Sequence, residues 1–115
     1  MVDDSKSELI MPAMGIISHA GDARLDAKKA LECVQCQDFV QAKKYIKLAK
    51  EEITKAHQAQ TEIIQNEARG IKYEYCMLFN HAQDTLMTIN SEIELVVTLI
   101  DTFEIYSKLI KEGKQ

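Results

Sequence analysis

His81, Asp84, Thr85 and Thr88 follow one another at steps of three, one and three, within the stretch Asn80-His81-Ala82-Gln83-Asp84-Thr85-Leu86-Met87-Thr88. Residues three and four apart are neighbours on a helix, so this spacing places the four side chains on one polar stripe. An imidazole with a carboxylate at i+3 supports three kinds of chemistry: a nucleophile, a general base or a metal ligand. The plainer reading is an exposed histidine among solvated neighbours. No serine or cysteine nucleophile motif, glycine-rich phosphate loop or H-E-x-x-H pair accompanies it. Residue types and spacing alone stop at a helix with a polar stripe.

The element that must carry this stripe is the third of three helical stretches. Its apolar seam, Phe79, Ala82, Leu86, Ile89, Ile93, Val96, Ile100 and Phe103, alternates steps of three and four, as in a coiled coil. The stretch is expected over about 72–111, which at ~1.5 Å per residue would reach about 60 Å. Two shorter partners cannot cover that length, so other chains are expected to complete the burial. The first stretch is expected over about 12–35. Pro12 is tolerated in its first turn, with Ser7 as an alternative earlier cap and Pro12 then kinking the helix. Ile10, Ala13, Ile17, Ala20, Ala27, Leu31 and Val34 form its apolar row, interrupted at Arg24. The second stretch is expected over about 39–68. Asp38 can cap it, Gln41 is placed to complete a capping box, and Gly70 can end it. Gln60 interrupts its row of Phe39, Ala42, Ile46, Ala49, Ile53, Ala56 and Ile63. Short connections make neighbours antiparallel, so the fold class is all-α, an up-down-up bundle in one domain over 1–115. The polar ends, about 1–6 and 112–115, are expected to fray.

The 115 residues carry 14 basic and 18 acidic side chains, a net charge of −4. That balance argues against a nucleic-acid partner, which needs a basic patch. No apolar run approaches the roughly 20 residues of a membrane span. The start, Met1-Val2-Asp3-Asp4-Ser5, lacks the apolar core of a signal peptide, so a cytoplasmic location without membrane insertion is expected. Three cysteines imply no disulfide framework. Cys33 and Cys36 form a C-x-x-C, but at a helix end with no strand before it, unlike a redox motif. A zinc site would need two further ligands, and Cys76 is the one other cysteine. The pair reads as small, semi-buried residues.

Three segments together resemble the lactose/cellobiose-type IIA components of the bacterial sugar phosphotransferase system. The stretch from His81 to Thr88 resembles the family's active-site motif, H-[AG]-Q-D-H-L-M-T. Ala20-Gly21-Asp22-Ala23-Arg24 resembles A-G-x-A-R in the first helix, and the stretch from Ala56 to Thr61 resembles A-H-x-x-Q-T in the second. Order and spacing agree over nearly the whole chain. The resemblance implies three antiparallel helices per chain assembled as a nine-helix homotrimer. It implies a phosphocarrier that takes phosphate from phospho-HPr onto His81 and passes it to a cysteine of the IIB component, serving the IIC membrane component indirectly. It also implies a divalent metal ion, with Mg²⁺ the candidate, held by Asp84 at the trimer axis, where three carboxylates would otherwise repel one another. Supporting polar roles fall to Thr85, Gln83, Gln60 and Arg24. The last two are read equally as a rim glutamine and a snorkelling arginine. His19 and His57 are assigned packing or surface roles. Ala82 is read as small enough to let a partner surface come close.

Two positions depart from the pattern. Thr85 stands where the family has a second histidine; its hydroxyl can donate to a phosphate but carries no charge. Gln35-Cys36-Gln37-Asp38 stands where the first loop usually has a glycine, a change expected to affect the loop only. Ala82 after the histidine points to the cellobiose and chitobiose branch, since the lactose branch usually has glycine there. The sugar itself is chosen mainly by the membrane component. Two other functions compete: a non-catalytic regulatory or binding module with the same fold, motivated by Thr85, and a structural helical adaptor, which would need no histidine at position 81.

Overall fold

The computed structural model describes residues 7–113 and resolves them into three helices, α1 (Ile10–Gln35), α2 (Phe39–Ala68) and α3 (Met77–Gly113). Cross-links set their directions. Lys43 pairs with Glu104 and Gln60 with Gln83, so α2 rises as α3 falls and the two are antiparallel. Arg24 meets Glu92 across α1 and α3, which run parallel in an up-down-up order. The molecule is a rod of 70 × 24 × 17 Å.

Alanine explains how the rod stays thin. α1 buries Ala13, Ala20, Ala23, Ala27 and Ala30 around Ile16, and α2 buries Ala42, Ala49 and Ala56 between Ile46, Ile53 and Ile63. Small side chains let two helix axes approach closely, and α3 then supplies the bulk: Phe79, Leu86, Ile89, Ile93, Val96 and Ile100. Full burial of such a side chain contributes ~1.5–3 kcal/mol. Opposite this seam, α3 carries a second row: Asp84, Thr88, Ser91, Leu95, Thr98, Thr102, Ile105 and Leu109. Its steps alternate four and three, and every member is exposed.

The two connections are built from sequence signals. Gly70, at φ 97°, follows α2 in the left-handed conformation; its N–H donates to the Glu67 carbonyl and that of Ile71 to Asn66. The same pair of bonds closes α1, from Gln37 to Val34 and from Asp38 to Cys33, with Gln37 at φ 59°. The missing loop glycine therefore leaves the turn type intact and puts a glutamine where L-residues pay a steric cost. Gln37→Gly is expected to stabilise the chain by about 0.5–1 kcal/mol in urea unfolding. Unchanged or lower stability would mean that the glutamine side chain compensates. Asp38 caps α2 by accepting the Gln41 N–H at 3.1 Å. The reciprocal half of a capping box is closed off, because the Asp38 N–H is donated to the Cys33 carbonyl.

Helix boundaries differ from expectation at three points. α1 starts at Ile10 rather than 12, with the Ser7 hydroxyl accepting the Leu9 N–H at 3.1 Å, so Pro12 falls within the first turn. α3 starts at Met77 rather than 72 and runs to Gly113 rather than 111. Residues 71–76 instead form a non-helical connection, held by the buried Cys76 and by Asn66 donating to the Tyr73 hydroxyl at 2.9 Å. The expected fraying at 1–6 and 114–115 lies outside the described residues, and Glu112 and Gly113 are helical.

Candidate functional site

α3 presents His81 from the second turn of its helix. The imidazole is exposed, while the next residue, Ala82, and Leu86 one turn on are fully buried. The helix is thereby anchored on one side and holds His81 outward on the other. This corrects the reading of Ala82: it faces the bundle core rather than an incoming surface, because it belongs to the same seam as Phe79 and Leu86. Asp84 and Thr88 are exposed on the same flank.

Thr85 lies one turn beyond His81 and is half-buried. Its hydroxyl donates to the His81 carbonyl at 2.8 Å. Such a bond back to residue i−4 is the usual resting place for a mid-helix threonine. Offering that proton to a phosphate on His81 would mean giving up the local bond, so the hydroxyl is not a free donor.

Gln83 and Gln60 are brought together. Gln60 Nε2 donates to Gln83 Oε1 at 3.0 Å across α2 and α3, and both are half-buried. The polar interruption in the second apolar row is thus satisfied by a residue of the motif, which pins the His81 turn to α2. Arg24 goes elsewhere. It forms a two-pronged pair with Glu92, Nε and Nη2 each 2.9 Å from a carboxylate oxygen. The Glu92 bond pushes the guanidinium pKa up. Glu92 stands eleven residues past His81, roughly 16 Å along the helix. Within one chain Arg24 therefore fixes the pairing of α1 with α3 and does not reach His81.

His19 Nδ1 lies 2.6 Å from Glu52 Oε2, joining α1 to α2, and that bond holds the Glu52 carboxyl below its ordinary range. His57 is half-buried on α2. Glu52 and Glu92 were not singled out from the sequence. Each matters through a partner 33 or 68 residues away, and a helical glutamate carries no local mark of that. Burial, with Asp38 beside it, pushes the Cys33 thiol up, the opposite of what a reactive thiolate needs.

Among the described residues no three His, Cys, Asp or Glu side chains converge as a metal site. Asp84 is the one carboxylate of the His81 stripe, so a cation held there would need copies of Asp84 from other chains. No described helix is long and apolar enough to cross a membrane. A groove of about 460 Å³ between α2 and α3, lined by Lys43, Lys47, Lys50, Val97 and Ile100, lies far along the rod from His81.

The family model for the lactose/cellobiose-specific IIA subunit of the PTS system matches residues 11–104. The lichenan-specific phosphotransferase enzyme IIA component of Bacillus subtilis is 40% identical over 89 residues, covering 77% of this chain and 81% of that protein. The crystal structure of the cellobiose-specific enzyme IIA from Bacillus anthracis superposes with a TM-score of 0.82 at 34% identity, covering 94% of this chain and 95% of that one. The IIA(Chitobiose) chain from the solution structure of its complex with HPr, from Escherichia coli, gives a TM-score of 0.75 at 33% identity, covering 87% of this chain and 97% of that one.

Proposed function

Because this chain belongs to the lactose/cellobiose-specific IIA subunits of the phosphotransferase system, we propose that it is a phosphocarrier that takes phosphate from phospho-HPr onto His81 and yields it to a cysteine of IIB. The observation that carries this reading is the placement of His81, exposed on a helix whose neighbouring residues Ala82 and Leu86 are locked in the core.

A neutral ring nitrogen of His81 attacks the phosphorus of the donor. A P–N bond forms as the bond to the donor breaks, and the product is a phosphoramidate of high transfer potential. The IIB thiolate then attacks the same phosphorus, the P–N bond breaks, and the imidazole is restored. Phosphoryl transfer asks mainly for positioning and charge stabilisation, so a carrier needs little more than a rigidly presented nucleophile. The Gln60–Gln83 bond serves that positioning. The partner supplies much of the remaining charge, since among the described residues no cation pairs with the motif. Uptake of a cellobiose, chitobiose or lactose type of disaccharide fits the family and its relatives.

The same reading includes a homotrimer in which the second row of α3 faces the axis. Three copies of Asp84 would then meet, and a divalent cation or shared protons would relieve their repulsion. The test of the phosphocarrier is incubation with phosphoenolpyruvate and the general phosphotransferase proteins, read as acid-labile label on the chain. Absence of label favours the second reading, a non-catalytic regulatory module with the same fold, which the occupied hydroxyl of Thr85 motivates.

Thr85 gives a finer prediction. Charge-assisted hydrogen bonds are about twice as strong as neutral ones. Thr85→His should therefore lengthen the life of the phosphorylated form, most clearly below about pH 6.5, where an unperturbed imidazole is mostly protonated. Thr85→Val should leave that lifetime close to wild type, because the hydroxyl it removes is bonded to the His81 carbonyl. Decay of labelled protein measures both. A markedly shorter lifetime for Thr85→Val would show that the hydroxyl swings out to the phosphate.

A further inference from the structure

We propose that an exposed row on α1, made of Met11, Met14, Ser18, Gly21 and Leu25, is a docking rail along which a helix of the phosphate donor HPr lies as it reaches His81. The proposal rests on the phosphocarrier reading and names the surface that brings the donor to the histidine.

The five residues follow at steps of three, four, three and four, so they line one side of α1. That side is turned away from the chain's own core. The buried residues of α1, from Ala13 to Ala30, lie on the other side. Arg24, three residues from Gly21 and three from Ala27, stands between the two. Met11 is 75% exposed, Met14 55% and Leu25 58%. Methionine and leucine are ordinarily among the most buried residues, and an exposed apolar row marks an interaction site. At Gly21 an added Cβ would meet nothing within 4 Å. A glycine inside a helix destabilises it relative to alanine, and packing within this chain does not call for one here. Its bare backbone leaves room for a group from outside. With small residues at Ser18 and Gly21 and larger ones at both ends, the row is a shallow saddle. Steps of three and four are the spacing at which one helix receives another.

The Arg24–Glu92 pair sets the level of α1 against the parallel α3. Ten residues back from each partner, roughly 15 Å of helix, Met14 comes level with Ala82, the residue after His81. His81 and Glu92 are separated by three turns of helix, so His81 shares the side of α3 that Glu92 turns to α1. The row and His81 therefore border one cleft. In the transfer step a single phosphorus lies between the donor's nitrogen and that of His81, so the two protein surfaces must meet around His81. The donor then lies against the α1 wall of the cleft. Methionine suits that wall, because its unbranched side chain moulds to a partner's relief.

The experiment is single-turnover transfer of label from purified phospho-HPr over a range of concentrations, with sedimentation equilibrium of every variant. Met14→Lys and Gly21→Leu are expected to raise the half-saturating concentration of phospho-HPr about 10-fold or more, with the rate at saturation within about 2-fold of wild type. Leu48→Lys, on the exposed side of α2, leaves both unchanged. Half-saturation at the wild-type concentration in both row variants overturns the rail and leaves His81 as the acceptor. A changed oligomeric state in a row variant also overturns it, because a second copy of the chain is then the occupant. The second readout is methionine oxidation by dilute hydrogen peroxide, with and without unphosphorylated HPr. Met11 and Met14 are expected to be protected by HPr, whereas Met87, on another side of α3, oxidises at the same rate in both. Equal oxidation of Met11 and Met14 with and without HPr overturns the rail. A wild-type chain that takes no label overturns the phosphocarrier reading, and the protection measurement then decides the rail by itself.

Discussion

His81→Ala is expected to reduce phosphoryl acceptance to background while the helices and their stability remain. The nucleophilic nitrogen is removed outright, so the effect is on chemistry rather than on affinity. No other histidine is poised to replace it. His19 is engaged by Glu52 at 2.6 Å, and His57 is half-buried on α2. Alanine is the best helix former, and position 81 is exposed, so unfolding free energy should stay within ~0.5 kcal/mol of wild type. The measurement pairs label uptake from phosphoenolpyruvate through the general proteins with a thermal melt. Uptake at the wild-type rate in His81→Ala would assign the phosphate to another residue.

Leu86→Ala is expected to do the converse. Leu86 is fully buried five residues from His81 and is among the bulkiest side chains that the alanine faces of α1 and α2 receive. Truncation removes its transfer free energy and leaves a cavity that rigid alanine neighbours cannot fill, a cost of about 2–5 kcal/mol. For a domain of this size that lowers the melting temperature by roughly 10 °C. Protein concentration must be held fixed, because assembly makes melting depend on it. Well below its melting point the variant should still accept label on His81. A drop under 1 °C would place Leu86 outside the core, and loss of label in folded protein would tie it to the site. Together the two variants separate what presents the histidine from what the histidine does.

Much of the fold was legible because its signals are local. The seam from Phe79 to Ile100 repeats at helical spacing, Asp38 is a capping residue before an apolar row, and Gly70 is the residue that accepts φ 97°. The start of α3 was not legible. Lys72 to Cys76 contains no helix breaker, yet the segment is non-helical, and Tyr73 accepts a bond from Asn66 of α2, a contact with no mark in the sequence around it.

By itself the sequence determined the helical class, the two stops and the motif that names His81, since each depends on residues within a few turns of one another. Tertiary structure alone decided which polar groups meet. Arg24 was drawn to Glu92 and Gln60 to Gln83. Side-chain pairing across helices depends on their relative register and rotation. Those follow from how alanines and large apolar residues interlock along the whole rod, and that quantity is written in no single segment of the chain.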